Sequence, residues 1–291
     1  MIQGSLVALV TPMLSDGSID YELLKNLIEW HIDKGTDAIV SVGTTGESAT
    51  LNEKEHCETI KKTVEFAAKR IPVIAGTGAN STDEAINLTK CAESVGADAC
   101  LLVTPYYNKP TQKGLYLHHK AVANAVKIPQ ILYNVPGRTA VDMLPETIGE
   151  LSKIENIVGV KEATGDISRI IEIRKLTSKE FAIYSGDDAT AKEAIFSGAN
   201  GDISVTANVA PDLMHSMCHA ALNGDLDRAN KINANLDILH NDLFLEANPI
   251  PVKYALYSMG LIKNGIRLPL TWLSEDYHQI IDKALSNTGI K

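Results

Sequence analysis

The 291-residue sequence predicts a single α/β barrel of eight parallel strands followed by a helical C-terminal domain. Three observations carry that expectation. Eight short, β-branched, nearly continuous apolar runs alternate with longer segments of helical period, as parallel strands joined by right-handed crossovers and covered on their outer face would. The strand signal then stops after Gly224. Finally, a closed (β/α)8 barrel takes about 250 residues, which leaves the remainder as a modest appendage.

The strand candidates are residues 6–10, 38–42, 72–75, 99–103, 130–133, 157–161, 182–184 and 201–205. Segments of helical period lie between them, among them 21–34, 53–69, 83–95, 113–126 and 188–197. The catalytic barrel is assigned to residues 1–224 and the helical domain to 225–291, with helices over 225–243, 252–259 and 275–285. The joining segment is not rich in Gly or Ser, so the second part is expected to pack on the first. An open doubly wound sheet would need a phosphate-binding glycine loop after its first strand, and Thr11-Pro12-Met13-Leu14 has none. Gly76-Thr77-Gly78 lacks the further glycine of a dinucleotide fingerprint and reads as a turn into Ser81-Thr82-Asp83-Glu84, whose spacing fits a capping box.

Composition narrows the function classes. The net charge of −9 is spread along the chain, without the clustered Lys and Arg of a nucleic-acid-binding surface. No apolar run is long enough to span a bilayer. The start, Met1-Ile2-Gln3-Gly4-Ser5, enters a strand without the basic end and apolar core of a signal peptide, so a cytoplasmic location is expected. Cys57, Cys91, Cys100 and Cys218 are scattered without a C-x-x-C spacing and read as reduced core residues, neither disulfides nor metal ligands.

Barrel active sites lie where strands end, so the informative residues follow each apolar run. Lys161 closes Ile157-Val158-Gly159-Val160. An amine taken out of water loses the hydration that favours its charged form, and the free base attacks a carbonyl to give a Schiff base. The loop Gly43-Thr44-Thr45-Gly46-Glu47 opens a helix, and its N–H groups and hydroxyls suit a carboxylate. Tyr133 ends its strand and offers a phenol for proton relay, while Arg138, after Pro136-Gly137, offers a fork for a second carboxylate. Each has an ordinary reading too: a solvated lysine, a capped turn, a packed ring, a surface arginine. Thr11, Thr104-Pro105-Tyr106-Tyr107 and Ser185-Gly186-Asp187 complete the set.

His215 and His219 share a helix face but have no glutamate between them, and the adjacent His118 and His119 point to different faces. No metal site is expected. There is no G-x-S-x-G elbow for a hydrolase.

At Leu9-Val10-Thr11-Pro12, Gly43 to Leu51, Thr104 to Asn108, Tyr133-Asn134-Val135-Pro136-Gly137-Arg138-Thr139, Val160-Lys161-Glu162-Ala163, Ser185-Gly186-Asp187-Asp188 and Asn248 to Lys253, the chain resembles the dihydrodipicolinate synthase family. That family lies within the pyruvate-dependent Schiff-base aldolases and lyases. The resemblance implies a homotetramer, without external cofactor, that condenses pyruvate with L-aspartate 4-semialdehyde for lysine and diaminopimelate synthesis. It assigns Lys161 the imine and Tyr133, Thr44 and Tyr107 a proton relay, Tyr107 reaching in from a neighbouring subunit. Thr44 and Thr45 would hold the pyruvate carboxylate, Arg138 that of the semialdehyde, and Gly186 would border the substrate. It further implies inhibition by L-lysine at Ser48, Ala49, His56, Asn80, Glu84 and Tyr106, with His56 and Glu84 on exposed-looking helical stretches. Glu53 departs from the histidine common in a lysine-sensitive bacterial relative. A related sugar-acid aldolase such as N-acetylneuraminate lyase is the nearest alternative, and Arg138 speaks against it. A non-catalytic keto-acid-binding barrel would have no use for the set.

Overall fold

The structure, a computed structural model, describes residues 2–291. Its strands are β1 (Gly4–Ala8), β2 (Ala38–Ser41), β3 (Val73–Gly76), β4 (Ala99–Val103), β5 (Gln130–Asn134), β6 (Ile157–Glu162), β7 (Ala182–Ser185) and β8 (Gly201–Ser204). They close in sequence order into a parallel barrel, with β1 also pairing β8. The seam is tight. A Cβ on Gly201 would lie 2.1 Å from the Gly4 carbonyl oxygen, so a side chain there would push the two strands apart.

Alternation along each strand sorts the residues. Leu6, Ala8, Val40, Ile74, Leu101, Ile131, Tyr184 and Ile203 fill the lumen. Val7, Ile39, Val73, Leu132, Val160 and Ile183 face outward into the layer of helices. This two-faced burial is why the strands read as continuous apolar runs. The expected β1 of 6–10 begins and ends earlier, because the Val10 N–H leaves the sheet and donates to Asn208 Oδ1 at 3.0 Å.

The barrel helices are α1 (Tyr21–Asp33), α2 (Glu53–Ala67), α3 (Thr82–Ser94), α4 (Gln112–Ala125), α5 (Pro136–Thr139), α6 (Pro145–Leu151), α7 (Ile167–Leu176), α8 (Ala191–Phe196) and α9 (Pro211–Leu222). A reciprocal capping box forms at Asn52 and Glu55, at the start of α2. At Ser81 only half of the anticipated box is present: its hydroxyl accepts from Glu84 N at 3.4 Å, while the Glu84 side chain borders a cavity. The helix expected from residue 188 begins instead at Ala191, after a 3-10 turn over Asp188–Thr190. Asp188 is buried there, accepting from Val205 N at 2.9 Å and Thr206 N at 3.0 Å.

Gly224, with φ of 75°, separates α9 from α10 (Leu226–Asp242), and α11 (Ile250–Ser258) and α12 (Glu275–Asn287) follow. Leu236, Leu239, Leu256, Ile281 and Leu285 from these helices join the outer barrel layer in one apolar cluster.

The cysteine expectation is corrected in part. Cys100 and Cys218 are buried free thiols, and burial pushes the Cys100 thiol up to about 12. Cys57 on α2 and Cys91 on α3, however, form a disulfide with a Cα–Cα distance of 6.1 Å. Neighbouring barrel helices bring the two side chains face to face, a relation that linear spacing does not reveal. With a sequence separation of 34 positions, loop entropy predicts that Cys57→Ser lowers the oxidised protein's stability by about 3–4 kcal/mol. Urea unfolding of wild type and variant should show that gap, and reductant should close it. Coincident curves without reductant would show that the bond does not form in solution.

Candidate active site

Strand alternation turns Lys161 inward. It follows the outward-facing Val160 on β6 and pairs in register with Tyr133 on β5 and Tyr184 on β7. Lys161 and Tyr133 are each 6% exposed, and the Lys161 Nζ lies 4.5 Å from the Tyr133 ring centroid, over its face. Gly186, just after β7, makes room for the amine's stem. A Cβ there would stand 2.6 Å from Lys161 Cε and 3.0 Å from Cγ, so any larger residue would displace the lysine.

Glu162, the next residue, faces outward and is held by its neighbours. It accepts from Asn134 Nδ2 at 3.1 Å and from Thr164 N at 3.0 Å, with Arg169 at 3.6 Å. Burial raises its carboxyl, and the Asn134 hydrogen bond and Arg169 charge oppose the rise.

The loop after β2 is strained and firmly tied. Val42 has φ of 47° and Glu47 φ of 59°, the first a β-branched residue in left-handed backbone. Such residues cost about 1–3 kcal/mol and persist where surrounding contacts over-determine them. Those contacts are present. Thr11 Oγ1 donates to the Gly46 carbonyl at 2.7 Å, and Asn248 Nδ2 donates to Thr45 Oγ1 at 3.0 Å. The Glu47 carboxylate forms a fully buried ion pair with Lys253 of α11 and accepts from Arg267 N at 3.2 Å. Burial pulls the Lys253 amine below its ordinary range, and the Glu47 charge works against that fall.

A cavity of about 460 Å³ opens beside this loop. Thr44 and Arg138 line it, with Asn248, Pro249, Pro269 and Leu270 from the C-terminal segment forming one wall. Arg138 lies on the short helix α5, where a loop was expected, and its Nη2 donates to the Asn248 carbonyl at 3.2 Å. Ser48, Ala49, Glu53, His56, Glu84 and Tyr106 border the same cavity. His56 is buried, not exposed, and burial lowers its imidazole to about 4. Tyr106 is raised by burial and then by the charge of Glu84.

The structure thus brings Lys161, Tyr133 and Gly186 together in the lumen, and Thr44 and Arg138 together on the cavity. Thr45 is buried behind the loop, where its hydroxyl meets Asn248. Asn80 is half-buried, its carbonyl accepting from Asn108 Nδ2 at 2.8 Å. Tyr107 stands apart, 89% exposed with φ of 74°.

Sequence reasoning missed the anchoring role of Lys253 and Asn248. A signal was available: Lys253 is the lone charge in Ile250-Pro251-Val252-Lys253-Tyr254-Ala255-Leu256, where only a buried partner would hold it.

An inward lysine at the C-terminal end of a barrel strand, stacked on a tyrosine and backed by a glycine that clears its stem, defines the class: this is a (β/α)8 Schiff-base-forming lyase. Residues 1–288 match the Dihydrodipicolinate synthetase family, and the chain belongs to it. The 4-hydroxy-tetrahydrodipicolinate synthase of Methylococcus capsulatus is 64% identical over 290 residues, covering 100% of both chains. The chloride-inhibited dihydrodipicolinate synthase of Acinetobacter baumannii, solved as a complex with pyruvate, superposes with a TM-score of 0.99 at 57% identity and covers 100% of both chains. The enzyme of Cyanidioschyzon merolae, solved with lysine bound, gives 0.97 at 39% identity, over 100% of this chain and 99% of that one.

Removing one member of the buried pair leaves an unmatched charge. Lys253→Met should therefore destabilise the protein by about 3–5 kcal/mol, and adding Glu47→Gln should recover much of that loss. Denaturant unfolding checks both, and a Lys253→Met protein of unchanged stability would show that the pair does not anchor the loop.

Proposed function

We propose that Lys161 is the amine through which this chain performs the reaction of its family. The enzyme condenses pyruvate with L-aspartate 4-semialdehyde to give 4-hydroxy-tetrahydrodipicolinate, in lysine and diaminopimelate biosynthesis. The observation that carries the assignment is the pairing of Tyr133 with Lys161 across β5 and β6, with the amine over the phenol ring in the lumen.

The chemistry follows from those positions. The amine adds to the pyruvate carbonyl, and water leaves as the imine forms. The iminium withdraws electrons from the methyl carbon, which loses a proton to give an enamine, and the enamine carbon attacks the aldehyde. Protons must be delivered to the departing hydroxyl and then to the new alkoxide, the work assigned to Tyr133 and Thr44. The iminium is its own electron sink, so no external cofactor is invoked. The semialdehyde's amino group finally displaces Lys161, closing the ring and freeing the enzyme. The hydroxyls and N–H groups at Thr44 and Thr45 suit the pyruvate carboxylate, Arg138 that of the semialdehyde, and Gly186 keeps the floor open.

Tyr107 completes the relay from a neighbouring subunit of a homotetramer in this reading. Its support is the exposed aromatic ring on left-handed backbone, an arrangement that a partner chain would stabilise. We place the enzyme in the cytoplasm. No helix among the described residues is long and apolar enough to cross a membrane.

L-Lysine is assigned as an inhibitor at Ser48, Ala49, His56, Asn80, Glu84 and Tyr106. Glu84 can pair with an ammonium, and Tyr106 and Asn80 can donate to a carboxylate. His56, neutral at physiological pH through burial, offers a hydrogen bond and not a charge. Glu53, on the same cavity, adds a second carboxylate for the effector's side-chain ammonium.

Mixing the protein with pyruvate and borohydride should add one reduced pyruvate to its mass, with Lys161 the modified residue, and Lys161→Ala should lose both adduct and turnover. An adduct that persists in the variant moves the imine elsewhere. A coupled assay with pyruvate and the semialdehyde tests the substrates, and a sugar-acid aldolase would fail it.

Titrating L-lysine at saturating pyruvate should give inhibition that weakens in Glu84→Ala and His56→Ala. Inhibition abolished by pyruvate, or absent at millimolar lysine, removes the effector assignment.

A further inference from the structure

The N-terminal face of the barrel, opposite the active-site mouth, carries a second cluster of chemistry-bearing groups. Asp37 precedes β2, and α9 presents His215 and His219 one turn apart. Asp37 Oδ2 lies 3.1 Å from His215 Nδ1, and Asp37 Oδ1 lies 3.0 Å from His219 Nε2. The three donor atoms all fall within 4.8 Å of one another. The two histidines have no glutamate between them in the sequence, and the fold supplies a carboxylate 178 positions away from His215.

We propose that Asp37, His215 and His219 bind a divalent transition-metal ion, of which Zn2+ is the natural probe. Two imidazoles and one carboxylate are a ligand set suited to Zn2+, Co2+, Ni2+ and Cu2+ and poorly suited to Mg2+ or Ca2+. A tetrahedral ion with bonds of about 2.0–2.2 Å sets its donors roughly 3.3 Å apart, a spacing within the 4.8 Å that bounds these three and near the 3.0 and 3.1 Å from the Asp37 oxygens to the two rings.

Two independent features make this a built site. The Ser5 N–H donates to Asp37 Oδ2 at 2.8 Å, the kind of outer hydrogen bond that orients a ligating carboxylate. Gly4 leaves the space at the cluster clear: a Cβ on it would stand 2.2 Å from Asp37 Oδ2 and 3.0 Å from His219 Nε2. Asp37, His215 and His219 side chains are 18%, 34% and 43% exposed, so an ion can enter and keep a water in its remaining position. A bound ion would clamp α9 to the chain entering β1 and β2, where the barrel closes. Its effect belongs to stability and not to turnover, since the lysine chemistry lies at the other end of the strands.

Zn2+ should bind the metal-free full-length protein at one equivalent per chain, measured by competition with a chromophoric chelator, and should raise Tm. His215→Ala and His219→Ala should each weaken binding by more than about a hundredfold, beyond the roughly 10–100-fold cost of losing an outer-shell partner, and abolish the Tm rise. Both histidines are partly exposed, so these variants are expected to fold, and Co2+ absorption of the wild type gives a second readout of two-imidazole coordination. Zn2+ affinity unchanged in the His215→Ala/His219→Ala protein, or a wild-type protein that takes up none, overturns the site. Because neither readout uses catalysis, this outcome is separate from that of the lysine assignment.

Discussion

The buried pair of Glu47 and Lys253 is the constraint on which the mouth of this barrel depends. Both side chains are fully excluded from solvent, so each is tolerable only while the other is in place. The pair joins a left-handed residue in the loop after β2 to α11, over two hundred positions later. Arg267 extends the junction: its N–H reaches Glu47, and its guanidinium grips Glu55 of α2 at 2.7 and 2.9 Å and the Thr50 carbonyl at 2.9 Å. The C-terminal segment is thereby fixed as a wall of the cavity, where Asn248 meets both Thr45 and Arg138.

That junction explains how the loop after β2 holds an unfavourable backbone. Val42 is turned into a conformation that its branched side chain disfavours, and the returns come from Thr11, Asn248 and Lys253, each reaching in from a different part of the chain. Loop conformation and C-terminal docking are therefore one event. A lesion in α11 should be felt by Thr44 before it is felt by Lys161, whose position rests on the sheet.

Much of this was legible in the sequence, for a physical reason. Barrel strands are buried on both faces, so their apolar runs stand out, and the residue that ends each run is placed at the active end by the fold class itself. Lys161, Tyr133 and Gly186 were accessible that way. What stayed hidden depends on neighbours that linear order does not show. Cys57 and Cys91 meet because α2 and α3 pack side by side. His56 sits among Glu53, Lys54, Glu55 and Glu58 and so reads as exposed, yet its helix turns that one position inward. Asp37 looks like an ordinary turn residue until α9 lies over it.

The register that pairs Tyr133 with Lys161 has a consequence for how such a scaffold can diversify. Their separation is set by backbone hydrogen bonding between adjacent strands, about 4.8 Å apart, and not by any loop. The group proposed to choose the second substrate stands instead on the four-residue helix α5, against the C-terminal wall. In the proposed reading, the spacing of Lys161 and Tyr133 is mechanically separate from the choice of second substrate, and insertions or substitutions around α5 and the C-terminal wall can retune selectivity while that register is kept.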